Sequence, residues 1–536
     1  MFDPHIDGFF QIIGKPKVPD VGVFGLRLIA DDFQAEIRGG LADRLTRIVI
    51  IGHHRCIQFA KPIDVRAGGN RRAGGFDSRP SRNHRRGHAT ACDQWQQHEH
   101  QKAVTTNRVL AEPADQCFIY LLVHVAQIVG VIDSDRQKLH SLKSMDTVRI
   151  GVIGMGNMGS LHAAYLAAGA VEGAKLGALC DIDADKLKRV ADKYDVARFT
   201  NHREMFNSGS IDAVMIVTPH YDHPPIAMDA FARDLHVMSE KPVAVSVNAA
   251  RKLNEAAAGY PHLKFGVMFN QRSRGIFQKL RDIVAQGDLG EISRITWLIT
   301  DWFRSWTYYA SGGWRATWAG EGGGVLINQC PHNLDLLQWI PNLMPNRITA
   351  VAGLGKLHPI EVEDEVSAIL EYANGAIGHF VTTTGEAPGT NRLEIVGDRG
   401  KIVAEAGKLL FRRTRQSVRE IRERSPLSFP TVEAWDCEIP FAPSIPDEHK
   451  LITQNFVNAI LLGTPLLAPG IEGVRGLEIG NAILLSGVTR QPVELPIDGE
   501  AYDAFLKDLT QKYGGRKTLT AATGAQADMS ASFAKT

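Results

Sequence analysis

The stretch that most constrains the 536-residue chain is VRIGVI followed by Gly154, Met155, Gly156, Asn157, Met158 and Gly159, and then by the apolar run SLHAAYLAAGA. A short apolar strand, a glycine-rich turn and a helix follow one another without a gap. In that order Gly154 permits the tight turn, Gly156 lets the backbone approach a pyrophosphate, and Gly159 lets the helix sit close to the strand. The helix start then offers unpaired N–H groups and a partial positive charge to phosphates. The glycine pattern alone is a weak signal. Here a second strand, AKLGALC, ends in Asp181 about 20 residues further on, the spacing of a carboxylate that bonds the adenosine ribose. The run predicts a dinucleotide site. A carboxylate at 181 would repel a 2′-phosphate and no Arg follows it directly, which favours NAD over NADP. Asp183 suits the cap of the next helix.

Strand and helix signals alternate from Met145 onward, which predicts an α/β fold with a parallel sheet covered on both faces. The strand AVMIV leads into Thr218, Pro219 and His223. The strand Leu235 to Met238 leads into Glu240, Lys241 and Pro242. Ligands of such sheets bind outside the carboxyl ends of the strands, so these residues belong beside one crevice.

Residues 1–144 have a different texture. They carry an excess of basic side chains, and RRAGGFDSRPSRNHRRGHATACDQWQQHEHQ has neither a strand nor a helix period. Arg82, Arg85 and Arg86 lack the aromatic platform of a nucleic-acid site. Cys92, His98 and His100 match no standard ligand spacing, so no metal site is expected. We expect this segment to be an extension that is poorly ordered or not part of the working enzyme, the alternative being a further N-terminal domain. The net charge of +1 excludes a general polyanion binder. The six cysteines are scattered and form no CxxC pair, so neither a disulfide framework nor a zinc ribbon is expected. The N-terminus has no signal-peptide pattern. The most apolar run, Cys117 to Ile132, is too short to span a membrane and carries His124 and Gln127. A cytoplasmic protein is expected.

These motifs resemble the glucose–fructose oxidoreductase / inositol dehydrogenase / MocA family. The second half adds GGGVLINQCPHNLD from Gly322 to Asp335, VEDEVSAILEYANGAIG with its Asn374-Gly375 turn, and the apolar helices of the segment beginning HKLITQNF. The resemblance covers roughly residues 145–500. It implies a Rossmann NAD-binding domain over 145–267 and an α+β domain over 268–514 with a large, open, mostly antiparallel sheet. The last residues, 515–536, are expected to be a flexible tail. It further implies a homodimer or homotetramer built through that sheet, and hydride transfer between a nicotinamide and a secondary alcohol of a sugar, sugar derivative or cyclitol. In the family, a lysine, an aspartate and a histidine flank the reacting alcohol. Lys241 and His332 match that pattern, whereas Asn328 stands where the family has the aspartate.

Oxidising a secondary alcohol requires removing its proton while a hydride leaves the same carbon, and histidine is the usual base. His332 follows Asn328 by four residues, so on a helix the two would share a face. Asp335 is open to a substrate or a structural role. Trp302, Arg304, Trp314 and Arg315 lie in a tryptophan-rich segment suited to stacking on sugar C–H faces and bonding hydroxyls. Asn270 and Arg272 are further cleft candidates by family position. The departure at Asn328 keeps an alternative in view: an NAD-using glycoside hydrolase or lyase that works by transient oxidation.

Overall fold

A computed structural model describes residues 146–443 and 447–519. The extension 1–144, with its basic and His/Cys clusters and the apolar run after Cys117, lies outside the described residues, as does the tail beyond 519.

The first domain is a six-stranded parallel sheet in the order β3-β2-β1-β4-β5-β6. Its strands are β1 (Val148–Ile153), β2 (Ala174–Cys180), β3 (Ala197–Phe199), β4 (Ala213–Ile216), β5 (His236–Ser239) and β6 (Phe265–Val267). β1 and β4 are buried on both faces, as central parallel strands are. Helices α1 (Asn157–Ala167), α2 (Ala184–Ala191), α3 (His202–Asn207), α4 (His223–Phe231) and α5 (Val247–Ala258) connect the strands. Local capping sets several of their starts. The Asp183 carboxylate accepts from Asp185 and Lys186 N–H at the head of α2, as its position suggested. Asn201 and Ser246 cap α3 and α5 in the same way. The chain order reverses at β1, so the crevice opens between the ends of β1 and β4.

After α6 (Gly275–Ala285) the chain builds a nine-stranded sheet. Its members are β7 (Ile292–Ile299), β8 (Pro345–Leu354), β9 (Glu363–Tyr372), β10 (Ile377–Thr383), β11 (Asn391–Gly397), β12 (Gly400–Glu405), β13 (Lys408–Thr414), β14 (Ala434–Glu438) and β15 (Val493–Glu494). All neighbours are antiparallel except β7 and β10. Burial alternates along β8 and β9, the period of a sheet with one packed face. Helices α7 (Trp306–Ala310) and α8 (Pro331–Trp339) follow β7, and α9 (Val418–Arg424) precedes β14. The chain closes with α10 (Glu448–Leu462), α11 (Gly473–Thr489) and α12 (Gly499–Tyr513). α8 and α11 bury their apolar faces in the same core as the inner face of the sheet. The opposite face leaves Val351, Ile369, Ile377 and Leu410 exposed.

Two features depart from the expected division. α10 lies far along the chain, yet Ile452, Phe456 and Val457 share a core with Val148, Ile150 and Met215 of the first domain. The residues just after 514 are not loose. Gly515 N–H donates to Glu361 at 2.8 Å, and Lys517 Nζ donates to the carbonyls of Gly312 and Arg315 at 2.9 and 2.8 Å. Backbone acceptors in a loop need partners, and Lys517 supplies two.

Candidate active site

A cleft of about 1570 Å³ runs from the glycine turn to the tryptophan-rich segment. It is lined by Gly154, Met155, Gly156, Asn157, Met158, Asp181, Thr218, Pro219, His223, Glu240, Lys241, Asn270, Trp302, Arg304, Trp314, Arg315, Asn328 and His332. Gly159, Arg272 and Asp335, also singled out in the sequence, do not line it.

The end at the first sheet fits a dinucleotide. Gly154 has φ +95°, and a Cβ there would stand 2.5 Å from the Val217 carbonyl oxygen. A Cβ on Gly159 would stand 1.8 Å from the Gly154 carbonyl, so this glycine serves helix–strand packing rather than contact with a ligand. Around Gly156 nothing lies within 4 Å of that position, which leaves the backbone approachable at the start of α1. Asp181 is buried at the end of β2. One of its oxygens accepts from Met155 N–H at 2.6 Å and the other from Asp183 N–H at 2.9 Å. Each oxygen keeps a lone pair for a further donor such as a ribose hydroxyl. Lys186 Nζ lies 3.9 Å away. The Thr218 hydroxyl is buried in the cleft wall with no protein partner, as befits a group meant for a ligand. His223 is a brace: its ring nitrogens lie 2.7 and 2.8 Å from the Pro242 and Thr218 carbonyls, joining the loops after β4 and β5.

Glu240 and Lys241 follow β5 directly. Glu240 accepts from the Lys241 N–H at 3.1 Å and is paired at 2.9 Å with His162 of α1. Burial works to raise the Glu240 carboxyl, but His162, His449 and Lys241 together outweigh it and hold the group down at about 2. His162 is itself buried and linked through Tyr165 to Thr453 of α10. Lys241 Nζ donates to the Asn328 carbonyl at 2.8 Å. Burial lowers its pKa, while Glu240 and Glu321 pull the other way.

Asn328 lies in the turn before α8, not on the helix with His332, because the helix begins only at Pro331. Its side-chain oxygen accepts from the Tyr308 hydroxyl at 3.3 Å and the Gln329 amide at 3.2 Å, and its amide nitrogen donates to Glu321. Tyr308 in turn accepts from Arg315 at 3.0 Å. His332 packs edge-on against Phe269 and has a buried Nδ1 with no protein partner. Burial, then the charge of Lys241, pushes its pKa well below the usual histidine value. Trp302 Nε1 and Asn270 Oδ1 are likewise buried without protein partners in the cleft wall.

Arg272 does not meet the cleft. It is fully buried and makes two bonds to Asp335, at 2.7 and 2.6 Å, and one to Glu472 at 2.5 Å. A buried guanidinium needs such carboxylates, so Arg272 and Asp335 are structural. Several cleft contributors were not singled out as site residues. Tyr308 stood in the aromatic segment without being separated from it. Glu448, which bonds Asn270 at 3.0 Å and Arg274 at 2.7 Å, comes from the start of α10 and carried no local signal.

Comparison with known proteins bears on the family and the fold. Residues 148–267 match a family model described as oxidoreductase family, NAD-binding Rossmann fold. Residues 277–403 match the GFO/IDH/MocA C-terminal domain. The chain is 27% identical over 262 residues to inositol 2-dehydrogenase of Rubrobacter xylanophilus, covering 48% of this chain and 71% of that protein. It is 27% identical over 242 residues to the rhizopine catabolism protein MocA of Rhizobium meliloti, covering 44% and 70%. In fold it is similar to the WlbA dehydrogenase from Bordetella pertussis, solved with NADH and UDP-GlcNAcA. That match has a TM-score of 0.55 and 24% identity over 66% of this chain and 100% of that one. With the glycine turn, Asp181, Lys241 and His332 on one cleft, and with both family domains matched in order, residues 148–403 of this chain carry the two domains of the Gfo/Idh/MocA family of NAD-binding oxidoreductases.

Proposed function

We propose that the protein oxidises, reversibly, a secondary alcohol of a sugar, sugar derivative or cyclitol. The observation that carries the reading is that Lys241 and His332 share one cleft with the dinucleotide turn. NAD held by the turn, Asp181 and Thr218 supplies the hydride acceptor. His332 takes the hydroxyl proton. Its depressed pKa leaves the imidazole neutral at pH 7, the form a base requires. Lys241 donates to the substrate oxygen and fixes its position. Asn328 cannot carry charge; its part is to hold Lys241 through its carbonyl and to fix the hydroxyl of Tyr308. Trp302 and Trp314 offer ring faces to sugar C–H groups, while Arg304, Arg315 and Asn270 offer hydrogen bonds to hydroxyls. The names of relatives such as inositol 2-dehydrogenase support this substrate class.

We assign these activities to residues 145–514. We also propose a homodimer or homotetramer that covers the open sheet face carrying Val351, Ile369, Ile377 and Leu410, since an apolar patch of this kind favours burial. No described helix is long and apolar enough to cross a membrane. We propose a cytoplasmic location.

The test is NADH absorbance over a panel of sugars and inositols. His332→Ala is expected to lower turnover about 10²–10⁴-fold with NAD affinity kept, and Lys241→Ala to lower it as well. Near-parental turnover in His332→Ala removes the base assignment. A glycosidic product formed without NADH release selects the hydrolase or lyase alternative.

A further inference from the structure

One buried carboxylate near the reacting centre has no part in the mechanism above. Glu321 precedes the three glycines that lead to Asn328, and it is only 2% exposed. It does not line the cleft. One carboxylate oxygen accepts from Ala316 N–H at 2.6 Å, and the other from the Asn328 amide. Its main-chain carbonyl faces His220 Nδ1 at 3.0 Å.

This arrangement fixes the amide. Burial raises the Glu321 carboxyl, while Arg315, the Ala316 N–H, Asn328 and Lys241 pull it back toward the charged form. As a carboxylate it only accepts hydrogen bonds, which turns the amide nitrogen of Asn328 toward it. The Asn328 side-chain oxygen is thereby turned toward the Tyr308 hydroxyl and the Gln329 amide. The main-chain carbonyl of the same residue receives the Lys241 ammonium at 2.8 Å. Asn328 is therefore held at three points, and Glu321 is the one that sets its sense. Glu240 and Glu321 are the carboxylates that favour the charged form of Lys241, against Arg315 and Arg304. In a buried site such a charge acts more strongly than it would in water.

We propose that Glu321 is a positioning residue of the reaction: from behind Asn328 it orients that amide and supplies the negative charge beside Lys241 that an amide at 328 does not carry. The proposal rests on the dehydrogenase reading. It makes a demand that a packing role does not. The charge should be movable from 321 to 328, because the two side chains touch. Two carboxylates in contact in a buried site should oppose one another.

The experiment is a double-mutant cycle on the full chain. Glu321→Gln is expected to lower kcat about 10-fold or more while NAD affinity stays within about twofold. Asn328→Asp alone is also expected to lose about 10-fold or more, because it sets two buried carboxylates together. The double variant E321Q/N328D is expected to return to within about threefold of the parent, a non-additivity that only directly coupled residues give. A second readout needs no turnover. In NAD-free protein, labelling of Lys241 by an amine-reactive reagent, read by mass spectrometry, should be several-fold faster in E321Q and should return to the parental rate in the double variant. A double variant no more active than E321Q overturns the proposal, as does unchanged labelling. Should E321Q fail to fold, Asn328→Asp remains decisive, and parental turnover in it overturns the proposal. If Lys241→Ala is inactive while E321Q is parental, only the role of Glu321 fails. If Lys241→Ala keeps parental turnover, the role of Lys241 fails and the proposal with it; if the parent releases no NADH with any sugar or inositol, it is the dehydrogenase reading that fails.

Discussion

Glu363 tests the physical reasoning most directly. It opens β9 and is fully buried. One of its carboxylate oxygens accepts from Gly324 N–H at 2.8 Å and Leu326 N–H at 3.1 Å, and its main-chain carbonyl accepts from Val325 N–H at 3.0 Å. It therefore ties down the turn that carries Asn328 toward α8. The second carboxylate oxygen is buried with no protein partner. Burial pushes the carboxyl up from 4.5 to about 7. Between those two values the folded protein holds a proton that the unfolded chain has lost. Stability then falls as pH rises from the lower value to the higher one and is level above it. A shift of this size corresponds to about 3 kcal/mol at 1.36 kcal/mol per pKa unit. Glu363→Gln keeps the carbonyl acceptor for both N–H groups and removes the titration. The expected result is a variant close to the parent at pH 4.5 whose advantage grows to about 3 kcal/mol by pH 7 and grows no further. The assay is urea unfolding at several pH values, followed by tryptophan fluorescence, since the buried Trp297 and Trp318 report on this domain. Turnover at pH 7 should be retained. A difference between the two proteins that stays flat across this range refutes the reasoning.

Two further substitutions separate structural from ligand-facing charge. Asp335→Ala leaves Arg272 buried with Glu472 as its remaining carboxylate, and is expected to cost about 3 kcal/mol or more of stability. NAD affinity of the folded protein should be unchanged, and a loss under about 1 kcal/mol in urea unfolding would mean that water reaches the pair. Asp181→Ala is expected to weaken NAD by about 1.5–3 kcal/mol in a fluorescence titration, and NADP by less, because a ribose acceptor and a repulsive charge leave together. Equal losses for the two cofactors would put Asp181 off the ribose.

The cofactor half of the site was legible because its chemistry is local. A turn that must bring backbone to a pyrophosphate needs glycines at fixed offsets, and a ribose acceptor must stand at the end of the adjacent strand. Both requirements fall within one βαβ unit. Lys241 was legible for the same reason, since it follows β5 directly. Residues whose partners are remote in sequence behaved otherwise. Arg272 reads as a cleft residue by its family position beside Asn270, but its carboxylates come from Asp335 and Glu472, and the fold closes that cluster away from the cleft. Nothing near Glu448 indicates that it meets Asn270 and Arg274, because α10 returns to the first domain only through the tertiary packing of Phe456 and Val457. The spacing of Asn328 and His332 suggested one helical face, yet Pro331 starts the helix between them, and Asn328 became a turn residue gripped by Glu321. That last case joins the two kinds of error. An uncharged side chain at 328 reads as a lost acid when residues are taken one at a time. In the folded chain the carboxylate is only seven positions away, behind the amide and in contact with it. What the centre requires is a charge at a place in space, and the fold can deliver that charge from a position the linear motif does not mark.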